Sequence, residues 1–183
     1  MQGTRSVSNP LATVADLEAY LGREFDDPTS AELAIDIASD IVRSYVGHSI
    51  TKILNDTVIL DGTGTSILLL PAAPVNGIDL VEIDGDLLET TKYRWSKKGY
   101  ILRTDGTTWP STPGSIEVIY NHGYDTVPDA VLGVVLALAG RITDGSSGIK
   151  QETIGSYSVT YADPSPVLRA NEQAGLDSFR VTV

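Results

Sequence analysis

The chain has two imidazoles, His48 and His122. Each stands beside a glycine at the edge of an expected element. Neither has a second histidine four residues away on a helix, the spacing that lets one helical face hold a metal. Both read as turn or surface residues. Cysteine is absent, which removes thiol catalysis, disulfide scaffolds and cysteine-ligated zinc. No G-x-S-x-G elbow presents a serine nucleophile. The stretch GTGTS, 62–66, looks like a phosphate loop but lacks the G-K-[ST] ending and runs into a strand. Without the lysine and the helix start that hold phosphate, it reads as a hairpin turn.

Carboxylates crowd around Gly85, with Glu82, Asp84, Asp86 and Glu89 close in sequence. The D-x-[DN]-x-[DN]-G spacing of a calcium loop is missing. Any two of the 24 acids could be drawn as an acid/base pair, so spacing singles out none. The group reads as a turn with solvated, charged flanks. Tyr93, Trp95 and Tyr100, with Arg94, Lys97 and Lys98 among them, form one local aromatic and basic cluster. Such a cluster can stack a sugar or a base, and cross-strand aromatic packing accounts for it equally. A β-rich carbohydrate- or ligand-binding module of a virion, using this cluster, is therefore the rival reading. A hydrolase built on paired carboxylates is a third, with no substrate to propose. No catalytic residue, cofactor or metal site is expected.

The elements that would position these residues follow from periodicity. The 183 residues and 42% apolar content suit one domain with a small insertion, able to bury a core without disulfides. The net charge of −11 argues against general nucleic-acid binding, which needs a concentrated Lys/Arg surface. The first residues lack the apolar core of a secretory signal. The run 131–139 is too short to span a bilayer. A protein made in a cytoplasm, without membrane partners, is expected.

T-V-A-D, 13–16, predicts a capping box opening a short helix that stops at Gly22. Asp27 and Pro28 open a second helix. Its apolar stripe is read as Ala34, Ile37, Ala38, Ile41, Val42 and Tyr45, with Asp36, Ser39, Asp40 and Arg43 opposite. From 50 to 124 the period shortens to two, predicting six short strands in an antiparallel meander or small barrel, with turns at 61–65, Asp84-Gly85 and Lys97 to Gly99. A third helix begins near Pro128 and is apolar almost all round up to Arg141, so burial on all sides is expected. The Gly/Ser-rich connector TDGSSGIKQE follows. After it come a late strand bearing Ile154, Tyr157, Val159 and Tyr161, and a tail bearing Leu168, Leu176, Phe179 and Val181. A lone strand must satisfy its backbone groups, so pairing with a sheet edge is expected, in a neighbouring subunit or in the chain's own β-part.

The fold class is thus α+β: a small helical bundle (1–49 and 125–183) with an inserted β-subdomain (50–124), a late strand and an extended C-terminal arm. The order of elements, with YNHGYDTVPDAV (120–131) and GIKQETIGSYSVTYA (148–162), resembles the head-to-tail adaptor, or connector, proteins of long-tailed bacteriophages, especially those infecting actinobacteria. The resemblance runs from about Asp16 onward. It implies a structural protein of the virion neck, assembled in the host cytoplasm and placed between capsid and tail. It implies a ring of twelve copies under the portal protein that extends the DNA channel, lets DNA pass without specific binding, and receives the stopper protein. It implies that 166–183 docks on the portal, with Leu168, Leu176, Phe179 and Val181 as apolar anchors and Arg169 and Arg180 as polar contacts. An arm that orders on docking suits assembly on a target. A ring built from one patch against a different patch suits repeated copies.

Overall fold

The structure of the chain, a computed structural model, describes residues 9–144, 151–154, 157–160 and 167–181, with backbone only for 151–154 and 157–160. Contacts divide the chain into two compact units. One joins Met1–Tyr45 to Val127–Ser178, and the other joins Val46–Thr126 to Phe179–Val183.

The first unit is helical. In α1 (Val14–Leu21), Thr13 and Asp16 cap each other's backbone N–H groups, and Gly22 closes the helix in the left-handed conformation. Asp27 Oδ1 accepts from the N–H and hydroxyl of Thr29 at the start of α2 (Thr29–Val46). The buried stripe of α2 is turned one residue from the expected one. Ala31, Ala34, Ile35, Ala38 and Val42 are buried, while Ile37, Ile41 and Tyr45 are half-buried. Ser39, expected on the polar side, is fully buried because its Oγ accepts from Leu11 N–H at 3.0 Å. That one hydrogen bond satisfies a hydroxyl which would otherwise oppose burial.

Helix α3 (Asp129–Asp144) buries Val131, Val135, Leu138 and Ala139 but leaves Leu132, Val134 and Ala137 half-buried and Gly133 exposed. It is not buried on all sides, as its composition led one to expect. The late strand also differs from expectation. It is two strands, β8 (Gln151–Ile154) and β9 (Tyr157–Thr160), paired antiparallel with Ile154 opposite Tyr157. The backbone of β9 therefore finds its partner in the preceding strand.

The second unit holds seven strands in two sheets. They are β1 (Ile53–Leu60), β2 (Ile67–Leu69), β3 (Val75–Ile83), β4 (Asp86–Leu87), β5 (Tyr93–Ser96), β6 (Tyr100–Arg103) and β7 (Ile116–His122). One sheet runs β1-β7-β3-β4 and the other β2-β6-β5, so the unit is neither a simple meander nor a closed barrel. Hairpins join β3 to β4 and β5 to β6, as the Gly-containing turns predict. Asp84 and Gly85 both take positive φ (52° and 85°), the geometry of a two-residue hairpin whose twist matches its strands. The expected hairpin at DGTGT is absent, because β1 and β2 lie in different sheets. Instead Gly62 and Gly64 donate to the carbonyls of Thr112 and Pro110, both at 3.0 Å. A Cβ at Gly62 would lie 2.0 Å from Pro110 O, so only glycine allows this approach. The inner faces of the two sheets meet in one core that includes Leu68, Tyr93, Ile101, Trp109, Ile116, Val118 and Tyr120.

Candidate partner interfaces

The residues with chemical potential are dispersed or enclosed. His122 is 2% exposed and its Nε2 lies 3.0 Å from Asp56 Oδ2 across the β1–β7 pair. Tyr120 stacks on the imidazole with centroids 4.9 Å apart. Burial and, after it, the Asp56 charge push the Tyr120 phenol up to about 12, while the nearby Ala72 backbone offsets little of this. The buried imidazole and the partly exposed Asp56 join β7 to β1 through this contact. His48 is half-buried, with Nδ1 2.8 Å from Ser49 O and Nε2 2.9 Å from Phe179 O. Both partners are carbonyls, so a neutral ring donates to one of them and an imidazolium to both.

The carboxylates around Gly85 follow the turn outward, with Asp84 and Asp86 exposed. Among the described residues, no three His, Asp or Glu side chains converge as a metal site would require, and no helix is long and apolar enough to cross a membrane. A shallow concavity of about 550 Å³ is lined by Glu18, Ala19, Gly22, Arg23 and Glu24. Arg23 there is held by Asp144 at 2.6 Å and lies over the Phe25 ring.

The aromatic cluster does not form a common platform. In β5, Tyr93 and Trp95 stand on the face that carries buried Ile101, and Tyr93 is buried. Tyr100 pairs with Ser96 and Leu69 on the other face. Alternation along a strand separates side chains that adjacency in sequence had grouped. The rival reading of a sugar- or base-stacking face loses its platform, and strand packing accounts for the cluster.

The C-terminal segment also departs from expectation. It is not extended over 170–179 but forms α4 (Ala170–Leu176) and a 3-10 turn, Asp177–Phe179. Leu168 and Leu176, expected as anchors for another protein, are buried within the chain. Arg141 of α3 grips Glu172 of α4 through two bonds of 2.6 and 2.9 Å, and Glu172 also accepts from Arg169 N–H at 2.8 Å. Burial pushes the Glu172 carboxyl up, but these hydrogen bonds and the charges of Arg141 and Arg169 outweigh it and hold it below its ordinary value. The signal in the sequence was Leu168, Glu172 and Leu176 at spacings of four, one face of a helix.

Of the other expected contact residues, Arg169 and Arg180 are exposed and Val181 is half-buried. Phe179 is half-buried and meets Tyr124 edge-on at 5.9 Å. Ile154, Tyr157 and Val159 lie in the β8–β9 hairpin, where the backbone alone is described. Tyr161 lies outside the described residues.

The surfaces that reasoning from sequence missed are the outer faces of the two sheets. On the four-stranded sheet, register places Ile59, Glu117, Glu82 and Leu87 in one row across all four strands. Ile59 is 69% and Leu87 68% exposed. On the three-stranded sheet, Ile67, Leu102 and Arg94 form the corresponding row. Ile67 is 45% and Leu102 36% exposed. Strict alternation in β7 carried the signal; the strand order that lines up each row did not show in the sequence.

These features define a chain of α+β class in two units, one mainly helical and one of β-sheets. The chain belongs to the head completion protein family, whose model matches residues 10–161. No curated protein matches it. Among solved structures, it is similar to a chain in the virion of a native gene transfer agent particle, at 13% identity and TM-score 0.62, covering 98% of this chain and 95% of that one. It is also similar to a chain in the neck of that native particle computed with C12 symmetry, at 12% identity and TM-score 0.57, covering 96% and 95%. A chain in the neck of the empty particle computed with C6 symmetry matches at 14% identity and TM-score 0.59, covering 98% and 94%. At these identities the likeness is one of fold.

Proposed function

We propose that this protein is a structural head-to-tail adaptor of a virion neck, acting without catalysis. It binds under the portal as a ring of twelve copies, extends the channel through which DNA passes, and receives the stopper or tail. The observation that carries this reading is membership of the head completion family over 10–161, joined to a fold shared along almost the whole chain with proteins of particle necks. The acidic balance, −11, supports passage of DNA without adhesion, since phosphate and carboxylate repel.

The portal contact is assigned to the late segment. Arg169, Phe179, Arg180 and Val181 touch the portal or a neighbour, and so do Ile154, Tyr157 and Val159 of the β8–β9 pair and Tyr161 after it. Leu168 and Leu176 act indirectly, by seating α4 on its own unit. The test is cosedimentation of the full-length chain with portal rings of the same particle, followed by electron microscopy. The expected result is a twelve-fold ring under the portal, weakened by Arg169→Glu with Arg180→Glu while the fold persists. A chain that ignores portal rings at saturating concentration overturns the reading.

A further inference from the structure

We propose that the β-unit makes a head-to-tail contact between copies of this chain, the outer face of the four-stranded sheet of one copy against the outer face of the three-stranded sheet of the next. The inference deepens the ring reading and rests on it.

The first ground is charge. Glu82 and Glu117 stand directly opposite each other on neighbouring strands. Carboxylates so placed repel across roughly 5 Å. Neither has a cationic partner among the described residues. On the other sheet, Arg94 is exposed; it donates to its neighbour's carbonyl, Tyr93 O, at 3.1 Å and has no carboxylate partner among the described residues. Lys97 and Lys98, at the turn joining β5 to β6, are exposed and have no carboxylate partner among the described residues. By contrast Lys52, Lys92 and Arg103 in the same unit each have one, Asp125, Glu89 and Asp105.

The second ground is shape and composition. Each charged group shares its row with exposed aliphatic side chains: Ile59 and Leu87 end the acidic row on either side of Glu117 and Glu82, while Ile67 and Leu102 lead to Arg94 at the end of the basic one. An apolar patch beside an unpaired charge of one sign, and another beside the opposite sign, suit the two halves of an interface with a fixed register. The two sheets share one core through their inner faces, so their outer faces point away from each other. Complementary patches on opposite sides of one body stack head to tail, and such a contact closes into a ring when the rotation per copy allows. In a chain with 24 acids and 13 bases, a basic apolar face is a scarce partner for an acidic one, and the next copy supplies it.

The chain has no cysteine, so introduced thiols report the contact directly. Leu87→Cys and Leu102→Cys variants of the full-length chain are made singly and together. They are oxidised alone at high concentration and when bound to portal rings. Mixing the two single variants should give covalent dimers containing one of each, and the double variant a ladder of multimers. Each single variant alone should remain uncrosslinked. Dimers of a single variant would mean a symmetric contact and would overturn the proposal. So would a ring that forms on portals without any crosslink, although the neck reading would then stand. A chain that binds neither portals nor itself would end both. As a second readout, Glu82→Arg or Arg94→Glu should weaken self-association about ten-fold or more, and mixing these two variants should recover it for the mixed pair. Failure of both reversals to change association would also overturn the contact.

Discussion

The helical unit and the β-unit treat their polar and apolar surfaces in opposite ways. In the helical unit, two of the apolar residues expected to anchor a partner are engaged at home. Leu168 and Leu176 are buried, and Glu172 is clamped by Arg141. In the β-unit, aliphatic side chains and unpaired charges remain outside a well-packed core, on both outer faces. The lesson is that a late, polar-looking segment can be structural, while a regular strand can carry the contact surface. Alternation along a strand always presents a second face, and what stands there is free to serve another chain.

The comparison breaks most visibly at the cores. Trp109→Ala removes a buried ring that donates to Ser66 O at 3.1 Å and lies under Arg103. It should cost the β-unit about 3–5 kcal/mol, read as faster hydrogen exchange across β2, β5 and β6. Next comes the clamp of the helical unit. Arg141→Met leaves Glu172 buried without its cation and should cost about 3 kcal/mol, with exchange rising in α4. Adding Glu172→Met should recover most of that loss, because the double variant buries no lone charge. An unchanged α4 in the single variant would show that the clamp does not seat it.

Acid sharpens the same comparison. The folded Glu172 carboxyl titrates below its ordinary value of 4.5. The stability it contributes is therefore complete above that pH and is lost as pH falls through the lower, folded value. Exchange in α4 should rise below about pH 4.5 in the parent and show no such step in the double variant. The smallest effect on stability belongs to the outer faces. Ile59→Thr with Leu87→Thr should change unfolding by about 0.5 kcal/mol or less, yet reduce self-association measured by sedimentation. A large loss of stability with intact association would reverse the roles assigned to the two units.

Much of the fold was legible from local chemistry. The Thr13–Asp16 capping box, the Asp27 cap, and the turns at Asp84-Gly85 and Lys97 to Gly99 depend on a few adjacent residues, and each forms where its residues stand. The α+β class followed from the change of period. The buried stripe of α2 was misjudged by one residue, because Ser39 is admitted to the core by a partner 28 positions away. The antiparallel pair of β8 and β9 was read as one strand, because its short segments share one run of β-forming residues. The DGTGT turn was assigned to a hairpin because sequence neighbours were taken as sheet neighbours.

The sequence by itself determined where the chain caps, turns and changes period, and it excluded thiol and cysteine–metal chemistry, since these rest on residue types and on contacts a few positions apart. Only the tertiary structure decided that Glu172 meets Arg141, that Glu82 faces Glu117, and that Ile67, Leu102 and Arg94 share a row. Those pairings are set by sheet order and helix packing, which join residues tens of positions apart through burial of a common core, and local pattern holds no record of which distant partner that core will select.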